Sequence, residues 1–312
     1  MINKNSKIFV SGHTGLVGSA IVRKLREKGY LNIICKTRKE LDLMNQKKVF
    51  EFLKKSKPKF IFLAAAKVGG IYSNNKYKAD YIFENLTIQN NIIHSAHLCN
   101  IQDLIFLGSS CVYPRNCKQP IKEEYLMSGQ LEKTNDAYAI AKIAGIKMCE
   151  SYNQQFNRNY KCLMPTNTFG PNDKYDTLNS HFFPAMIKKI HYLKKNNKKE
   201  IIIWGNGLPR REMIYVDDLA EACVFFMKKK VKESLINIGT GKDYTIKQYV
   251  KMLLSILVPH KKIKIKYDYT KPNGTLRKVL DISVAKKYGW KPKSKFDQAV
   301  LLTYEKFLEK TH

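Results

Sequence analysis

The sequence predicts an α/β fold built on a doubly wound parallel sheet, and three observations carry the prediction. Short apolar runs alternate with helical periodicity through the first half of the chain. The first run, Lys7-Ile8-Phe9-Val10, passes through Ser11-Gly12-His13-Thr14-Gly15-Leu16-Val17-Gly18 into a helical pattern, the strand–glycine turn–helix unit that cradles a dinucleotide. Chemistry-bearing residues follow the third and fourth runs, at the carboxyl ends of strands where open α/β sheets bind ligands.

In chain order, strands are expected at 7–10, 32–35, 60–63, 103–107 and 160–164, each short and apolar. Helices are expected between them at 16–28, 46–55, 77–99 and 138–157. In the glycine turn, Gly12 permits the tight bend, Gly15 lets backbone approach a pyrophosphate, and Gly18 lets helix and strand pack closely. The pyrophosphate would rest on the positive helix N-terminus, so the candidate loop is Gly12, His13, Thr14, Gly15, Leu16, Val17 and Gly18. After the second strand an NAD site would carry an acidic residue for the ribose hydroxyls. This chain has Lys36, Thr37, Arg38 and Lys39, which suit a 2′-phosphate, so NADP is the expected cofactor. The candidate cofactor segment there runs Arg38, Lys39, Glu40, Leu41, Asp42, Leu43.

Strand three opens into Ala64-Ala65-Ala66-Lys67-Val68-Gly69-Gly70, small residues against which a cofactor can lie. Strand four opens into Leu107-Gly108-Ser109-Ser110-Cys111-Val112-Tyr113-Pro114. Tyr138 and Lys142, four apart, share one face of a helix. A lysine ammonium beside a phenol favours the phenolate and is expected to bring the tyrosine toward working pH. Such a tyrosine can protonate a carbonyl oxygen, and Ser109 can hold that oxygen by a hydrogen bond. Cys111 adds a soft, acidic thiol that a carbonyl reductase does not require. Reduction and a second chemistry are therefore both expected.

From about residue 165 the pattern changes. Pro165-Thr166-Asn167-Thr168-Phe169-Gly170-Pro171 is turn-rich, and a polar loop runs on to Ser180. A helix at 182–195 and a strand at 201–204 follow, then a helix–strand pair at 215–228 and 235–238 that should return to the main sheet. The expected division is a cofactor domain of residues 1–165 with 215–240, and a smaller substrate domain of 166–214 with 241–312.

With 312 residues and 44% apolar composition, the chain can bury a full core. No apolar run approaches the roughly 20 residues of a membrane helix. Met1-Ile2-Asn3-Lys4-Asn5 leads straight into the first strand, leaving no room for a signal peptide. Seven cysteines with no Cys-x-x-Cys pair point to reduced thiols in a cytoplasmic protein and to no metal site. The formal charge of +30 comes from lysines spread along the whole chain, without interleaved aromatic platforms, so nucleic acid is not the expected partner.

These motifs, read together, resemble the GDP-L-fucose synthases, extended short-chain dehydrogenases that act as 3,5-epimerase-4-reductases on GDP-4-keto-6-deoxy-D-mannose. The likeness runs nearly end to end. It is carried by Ser11-Gly12-His13, Ala64 to Ile71, Leu107 to Cys111, Thr134-Asn135 and Tyr138 to Lys147. It continues in Met164-Pro165-Thr166-Asn167, Asn179-Ser180-His181, Trp204-Gly205, Arg211-Glu212, Lys271-Pro272 and Gly274-Thr275. The resemblance implies Cys111 as base and His181 as opposing acid for epimerisation, since thiol and imidazole both exchange protons near neutral pH. It implies Tyr138 as acid at the carbon 4 oxygen, with Ser109 orienting and Lys142 tuning the tyrosine and holding the nicotinamide ribose. Cofactor contacts are implied at Leu107, Gly108, Ser109, Ser110, Lys142, Pro165, Thr166, Asn167, Thr168 and His181, and GDP-sugar contacts at Lys189, Trp204, Arg211 and Asn273.

The chain departs from the family pattern at several places. Lys189 stands where Arg is common, Asn273 where Asp is common, Thr14 where Arg occurs, and Thr168-Phe169-Gly170 replaces Leu-Tyr-Gly. A homodimer is implied through helices 77–99 and 138–157, with Ile82, Leu86, Ile93, Ile143 and Met148 as apolar surface. Two other readings compete: a reductase of a related GDP-4-keto sugar such as a deoxyheptose, and a non-enzymatic NADP- or nucleic-acid-binding protein.

Overall fold

The computed structural model describes residues 2–176, 180–271 and 273–311. Asn179 and Pro272, two residues of the family motifs, lie outside them. The chain runs β1 Ile8–Ser11, α1 Leu16–Glu27, β2 Ile33–Ile34, α2 Gln46–Ser56, β3 Phe60–Leu63, α3 Ile71–Lys76, α4 Lys78–Leu98, β4 Asp103–Leu107, α5 Asp136–Phe156 and β5 Asn159–Pro165. It continues β6 Asn167–Phe169, α6 Phe182–Lys195, β7 Glu200–Trp204, β8 Arg210–Tyr215, α7 Val216–Lys228, β9 Leu235–Ile238, β10 Asp243–Thr245 and α8 Ile246–Leu257. The last elements are β11 Lys264–Asp268, β12 Arg277–Lys278, α9 Ser283–Lys287 and α10 Phe296–Leu308.

The main sheet is parallel, in the order β2-β1-β3-β4-β5-β9. Strands β1 and β3 are buried at every position, as expected of strands covered by helices on both faces. One apolar cluster packs under α1 and α7 and extends to α6, α8 and α10; the other lies under α2, α4 and α5. The chain leaves β1 for β2 on one side and returns to β3 on the other, so the crevice between the carboxyl ends of β1 and β3 is the switch point. As the sequence predicts, α7 and β9 come back to this sheet, β9 pairing with β5 from Cys162↔Leu235 to Pro165↔Ile238. Two smaller sheets hold the rest: β10-β8-β12 with β6 on β8, and β7 parallel to β11.

The helix expected over 77–99 is α4, and an unexpected short helix, α3, precedes it, the two separated at Tyr77, whose φ of −115° and ψ of 43° leave helical geometry. Tyr81 on α4 reaches the Lys67–Gly70 loop so closely that a Cβ on Gly69 would stand 2.2 Å from its hydroxyl.

Candidate active site

Local chemistry builds the cradle at the switch point. Gly12 holds φ +75°, and a Cβ there would lie 2.8 Å from the Ala65 backbone. A Cβ on Gly18 would lie 2.1 Å from the Gly12 carbonyl oxygen. Gly15 begins α1 without a side-chain cap, and the first turn has no acidic residue, so the helix N-terminus keeps its positive end toward the crevice. Leu16 and Val17 are half-buried, and His13 Nδ1 is buried without a hydrogen-bond partner.

Beyond β2, Lys36 and Thr37 bind Glu40, whose carboxyl is thereby held down to about 2. Arg38 and Lys39 are exposed beside them, Arg38 Nη2 making only a 3.9 Å contact to Met44 Sδ. Leu41 is buried, Leu43 packs on the core, and Asp42 Oδ1 accepts from Met44 N–H, so these three shape the segment. The glycine cradle, the free helix end and the two exposed cations fit a dinucleotide with a 2′-phosphate.

The Leu107–Cys111 segment leaves β4 against β5, with Gly108 N–H bonded to Leu163 O at 2.9 Å. A Cβ on Gly108 would lie 2.0 Å from Met164 Cε, so any larger residue would have to displace the end of that side chain. The turn Ser110–Val112 starts at Ser109, whose hydroxyl accepts the Cys111 N–H at 3.3 Å and also hydrogen-bonds Tyr138. Tyr138 lies edge-on to Tyr81, with centroids 6.4 Å apart, and Tyr81 is in turn fixed by Ser73 at 2.9 Å.

Lys142 is buried, its Nζ donating to Leu107 O at 2.8 Å beneath the Phe106 ring. Its Nζ is 5.9 Å from the Tyr138 ring centroid. The sequence leads one to expect lysine to lower the tyrosine's proton affinity, and here burial wins instead. Desolvation, then the nearby Cys111 and Tyr81, push the Tyr138 phenol well above its usual range, the Ser109 bond opposing. Desolvation brings Lys142 down to about 7.

Cys111 stands among donors. Asn135 Nδ2 donates to its sulfur at 3.3 Å, and Lys278 Nζ, 167 residues away in sequence, approaches it at 3.9 Å. Arg211, its pKa lowered by desolvation, interacts with Cys111 and Glu132, and its Nη1 donates to Arg210 O and Thr275 O at 2.8 and 2.6 Å. Gly274 packs on Arg211, and Asn273 Oδ1 accepts Asn206 N–H against Gly205, next to Trp204. Trp204, Arg211 and Asn273 therefore gather along one wall that meets the cysteine loop. Lys189 Nζ donates to Ile202 O behind Trp204, and desolvation lowers its pKa while Asp268 opposes. His181 is the residue before α6, makes no side-chain cap bond there and is solvent-exposed.

Pro165, Thr166, Asn167 and Thr168 bridge β5 and β6. Thr166 and Asn167 side chains both donate to Glu212 O, and Thr168 Oγ1 donates to Thr166 O. The Glu212 carboxylate, fully buried, accepts N–H from Thr240, Gly241 and Leu280 at 2.5, 2.6 and 2.8 Å and joins β8 to the loops after β9 and β12. The sequence argument assigned no role to Asn135, Lys278, Tyr81 or Glu212. The only local signals were an acid within the apolar strand Arg-Glu-Met-Ile-Tyr and an asparagine at a helix start.

A parallel sheet with a glycine cradle at its switch point and Ser109, Tyr138 and Lys142 at its carboxyl edge defines a nucleotide-dependent oxidoreductase of the short-chain dehydrogenase type. The profile of the NAD dependent epimerase/dehydratase family matches residues 8–239, and the chain belongs to that family. It is 48% identical to the putative GDP-L-fucose synthase 2 of Arabidopsis thaliana, covering 99% of this chain and 94% of the relative. It is 42% identical to the GDP-L-fucose synthase of Escherichia coli K12, covering 97% of each. Among solved structures, a GDP-mannoheptose C4 reductase from Campylobacter jejuni with NADP bound superposes with a TM-score of 0.89. It is 38% identical, covering 99% of this chain and 100% of that one. No helix among the described residues is long and apolar enough to cross a membrane.

Proposed function

We propose that this protein is a bifunctional NADPH-dependent epimerase-reductase that converts GDP-4-keto-6-deoxy-D-mannose to GDP-L-fucose. The observation carrying this reading is the thiol of Cys111 on the same loop as Ser109, within electrostatic reach of Tyr138. A simple reductase has no use for it.

A ketone at carbon 4 acidifies the hydrogens on carbons 3 and 5. Cys111 takes a proton from one face and His181 returns one on the other, inverting each centre. Tyr138, kept protonated by its enclosed position, then donates to the carbon 4 oxygen, which Ser109 also holds. The Gly12–Gly18 loop, Arg38, Lys39 and Lys142 would hold NADPH, which supplies the hydride. Lys189, Trp204, Arg211 and Asn273 would grip the GDP-sugar from residues 166–214 and 241–312, the substrate domain, against a cofactor domain of 1–165 and 215–240.

The homodimer belongs to the same proposal. Phe83 on α4 and Ile140 on α5 are 62% and 47% exposed on two helices that pack side by side. Ile82, Leu86, Ile143 and Met148 are half-buried, whereas Ile93 faces the core and drops out of the expected surface. Sedimentation at the 36.2 kDa chain mass would remove the dimer.

The rival, a C4 reductase of a GDP-4-keto heptose, gains from the similarity to the heptose reductase and from Lys189, Asn273 and Thr168-Phe169-Gly170. Incubation with NADPH and GDP-4-keto-6-deoxy-D-mannose, with the product identified by NMR, decides between them. GDP-L-fucose supports the epimerase-reductase. An unepimerised deoxyhexose, or no turnover, overturns it.

A further inference from the structure

Asn135 occupies the residue before α5, where an asparagine side chain ordinarily accepts a backbone N–H from the first turn. It makes no such bond. Its Nδ2 points instead at Cys111 Sγ, 3.3 Å away, and its Oδ1 is buried with no hydrogen-bond partner. The side chain has thus given up a cap and stranded an acceptor in order to present its N–H to sulfur. A neutral thiol is too weak an acceptor to offset both losses, whereas an anionic sulfur accepts a charge-assisted bond. A buried orphan polar atom beside reactive chemistry is the sort of local cost that functional sites retain.

The surroundings of the sulfur agree from every side. Lys278 of β12 approaches at 3.9 Å, and Arg211 of β8 lies within electrostatic range. The Cys111 N–H is taken up by Ser109, and the Tyr138 phenol is close on α5. Glu132 interacts with Arg211, bonds Thr275 Oγ1 and pairs with Arg115, so its charge is drawn away from the thiol. The two cations supply field. Asn135 supplies the only neutral directional donor to this sulfur found among the described residues.

We propose that Asn135 is a positioning residue for epimerisation: its amide N–H holds the Cys111 sulfur in its anionic form and fixes the direction from which it removes the sugar protons. The inference rests on Cys111 being the base of the proposed reaction. It makes a demand on the free protein that the reading itself does not make, because the amide acts on the sulfur before any sugar binds.

The test uses Asn135→Asp and Asn135→Ala in the full chain. Asp keeps the shape and is a good helix cap, but places a carboxylate at the sulfur. Alkylation of Cys111 by iodoacetamide, followed peptide by peptide by mass spectrometry across pH, should show its midpoint move up by about one unit for Ala and further for Asp. Deuterium uptake at carbons 3 and 5 in heavy water should fall about ten- to a hundredfold near neutral pH and recover as pH rises. Thermal unfolding and NADPH binding, measured on the same variants, report whether the fold is intact.

If both variants unfold or no longer bind NADPH, Asn135→Ser, smaller and still a donor, is measured in the same way. An unmoved alkylation midpoint in every variant overturns the proposal, including when exchange falls, because Asn135 would then act on substrate alone. A parent that alkylates as expected but never forms GDP-L-fucose would instead overturn the reading of the substrate.

Discussion

Cys111 and Tyr138, the two proton carriers of the proposed reaction, are close enough to influence each other yet sit in opposite surroundings. Tyr138 is walled by Tyr81, by Ser109 and by a lysine drawn down under Phe106. Its proton is held by desolvation. Cys111 faces Asn135, Lys278 and Arg211, the donors and cations that an anion needs. One loop therefore serves an apolar half suited to an acid and a polar half suited to a base, two environments separating two roles. Lysine 142 belongs to the apolar half. Its burial and its bond to Leu107 O make it a post for the backbone more than a charge acting on the phenol.

The largest effect expected of any single change comes from the apolar half. Tyr138→Phe should lower NADPH oxidation by at least about a thousandfold, while proton exchange at carbons 3 and 5 continues. The phenol acts only at the carbon 4 oxygen, after epimerisation. Deuterium incorporation measured by mass spectrometry beside NADPH absorbance separates the two. Near-native NADPH oxidation would show that the acid lies elsewhere.

Cys111→Ser should do the reverse. A serine hydroxyl is far too weak an acid to serve as an anionic base near neutral pH, so exchange should fall about a hundredfold to ten-thousandfold. Ser109, Tyr138 and Lys142 remain, so slow reduction of the unepimerised ketone should leave a deoxyhexose of the D series. Unchanged GDP-L-fucose formation would return Cys111 to the role of a loop residue and collapse the two halves into one.

Arg38→Ala touches neither half and so sharpens the comparison as a control. Loss of a charge-assisted contact to a 2′-phosphate, about 1.5–3 kcal/mol, should raise KM for NADPH roughly ten- to a hundredfold and leave NADH use and deuterium exchange alone. Equal effects on both cofactors would make Arg38 an ordinary surface cation.

How much of this division the sequence discloses depends on distance along the chain. Phe60–Leu63, Asp103–Leu107 and Phe182–Lys195 fall where apolar runs and helical periodicity place them. These signals are local. The apolar half is nearly all legible, because Ser109 follows a strand and Tyr138 and Lys142 share a helix turn. The polar half is not. Lys278 sits in the two-residue strand β12, paired with β8 in a lysine- and arginine-rich stretch without apolar pattern, and it meets Cys111 across 167 residues. Asn135 stands in the sequence only as half of the Thr134-Asn135 motif, and the turn of its amide to sulfur is visible only in the structure. The tyrosine–lysine argument failed for a related reason: spacing reveals which groups are neighbours, while burial decides which way their protons move.

The smallest expected effect tests that last point directly. Burial brings the Lys142 ammonium from 10.5 down to about 7 in the folded chain. Between those values the unfolded chain carries a proton that the folded chain has released. Stability should therefore rise with pH through that window, by at most about 1.4 kcal/mol per unit for one proton. Below about 7 both states are protonated, and the folded chain bears the full cost of an enclosed charge, relieved only in part by the bond to Leu107 O. Lys142→Met keeps the length of the side chain and removes the charge. Urea unfolding of the cofactor-free protein at pH 7, 8 and 9 should show the parent gaining stability relative to the Met variant at each step. Parallel pH profiles would mean that the lysine keeps its proton when folded. Desolvation would then not govern the apolar half, and only the nearby Cys111 and Tyr81 would be left to hold the phenol's proton against the Ser109 bond.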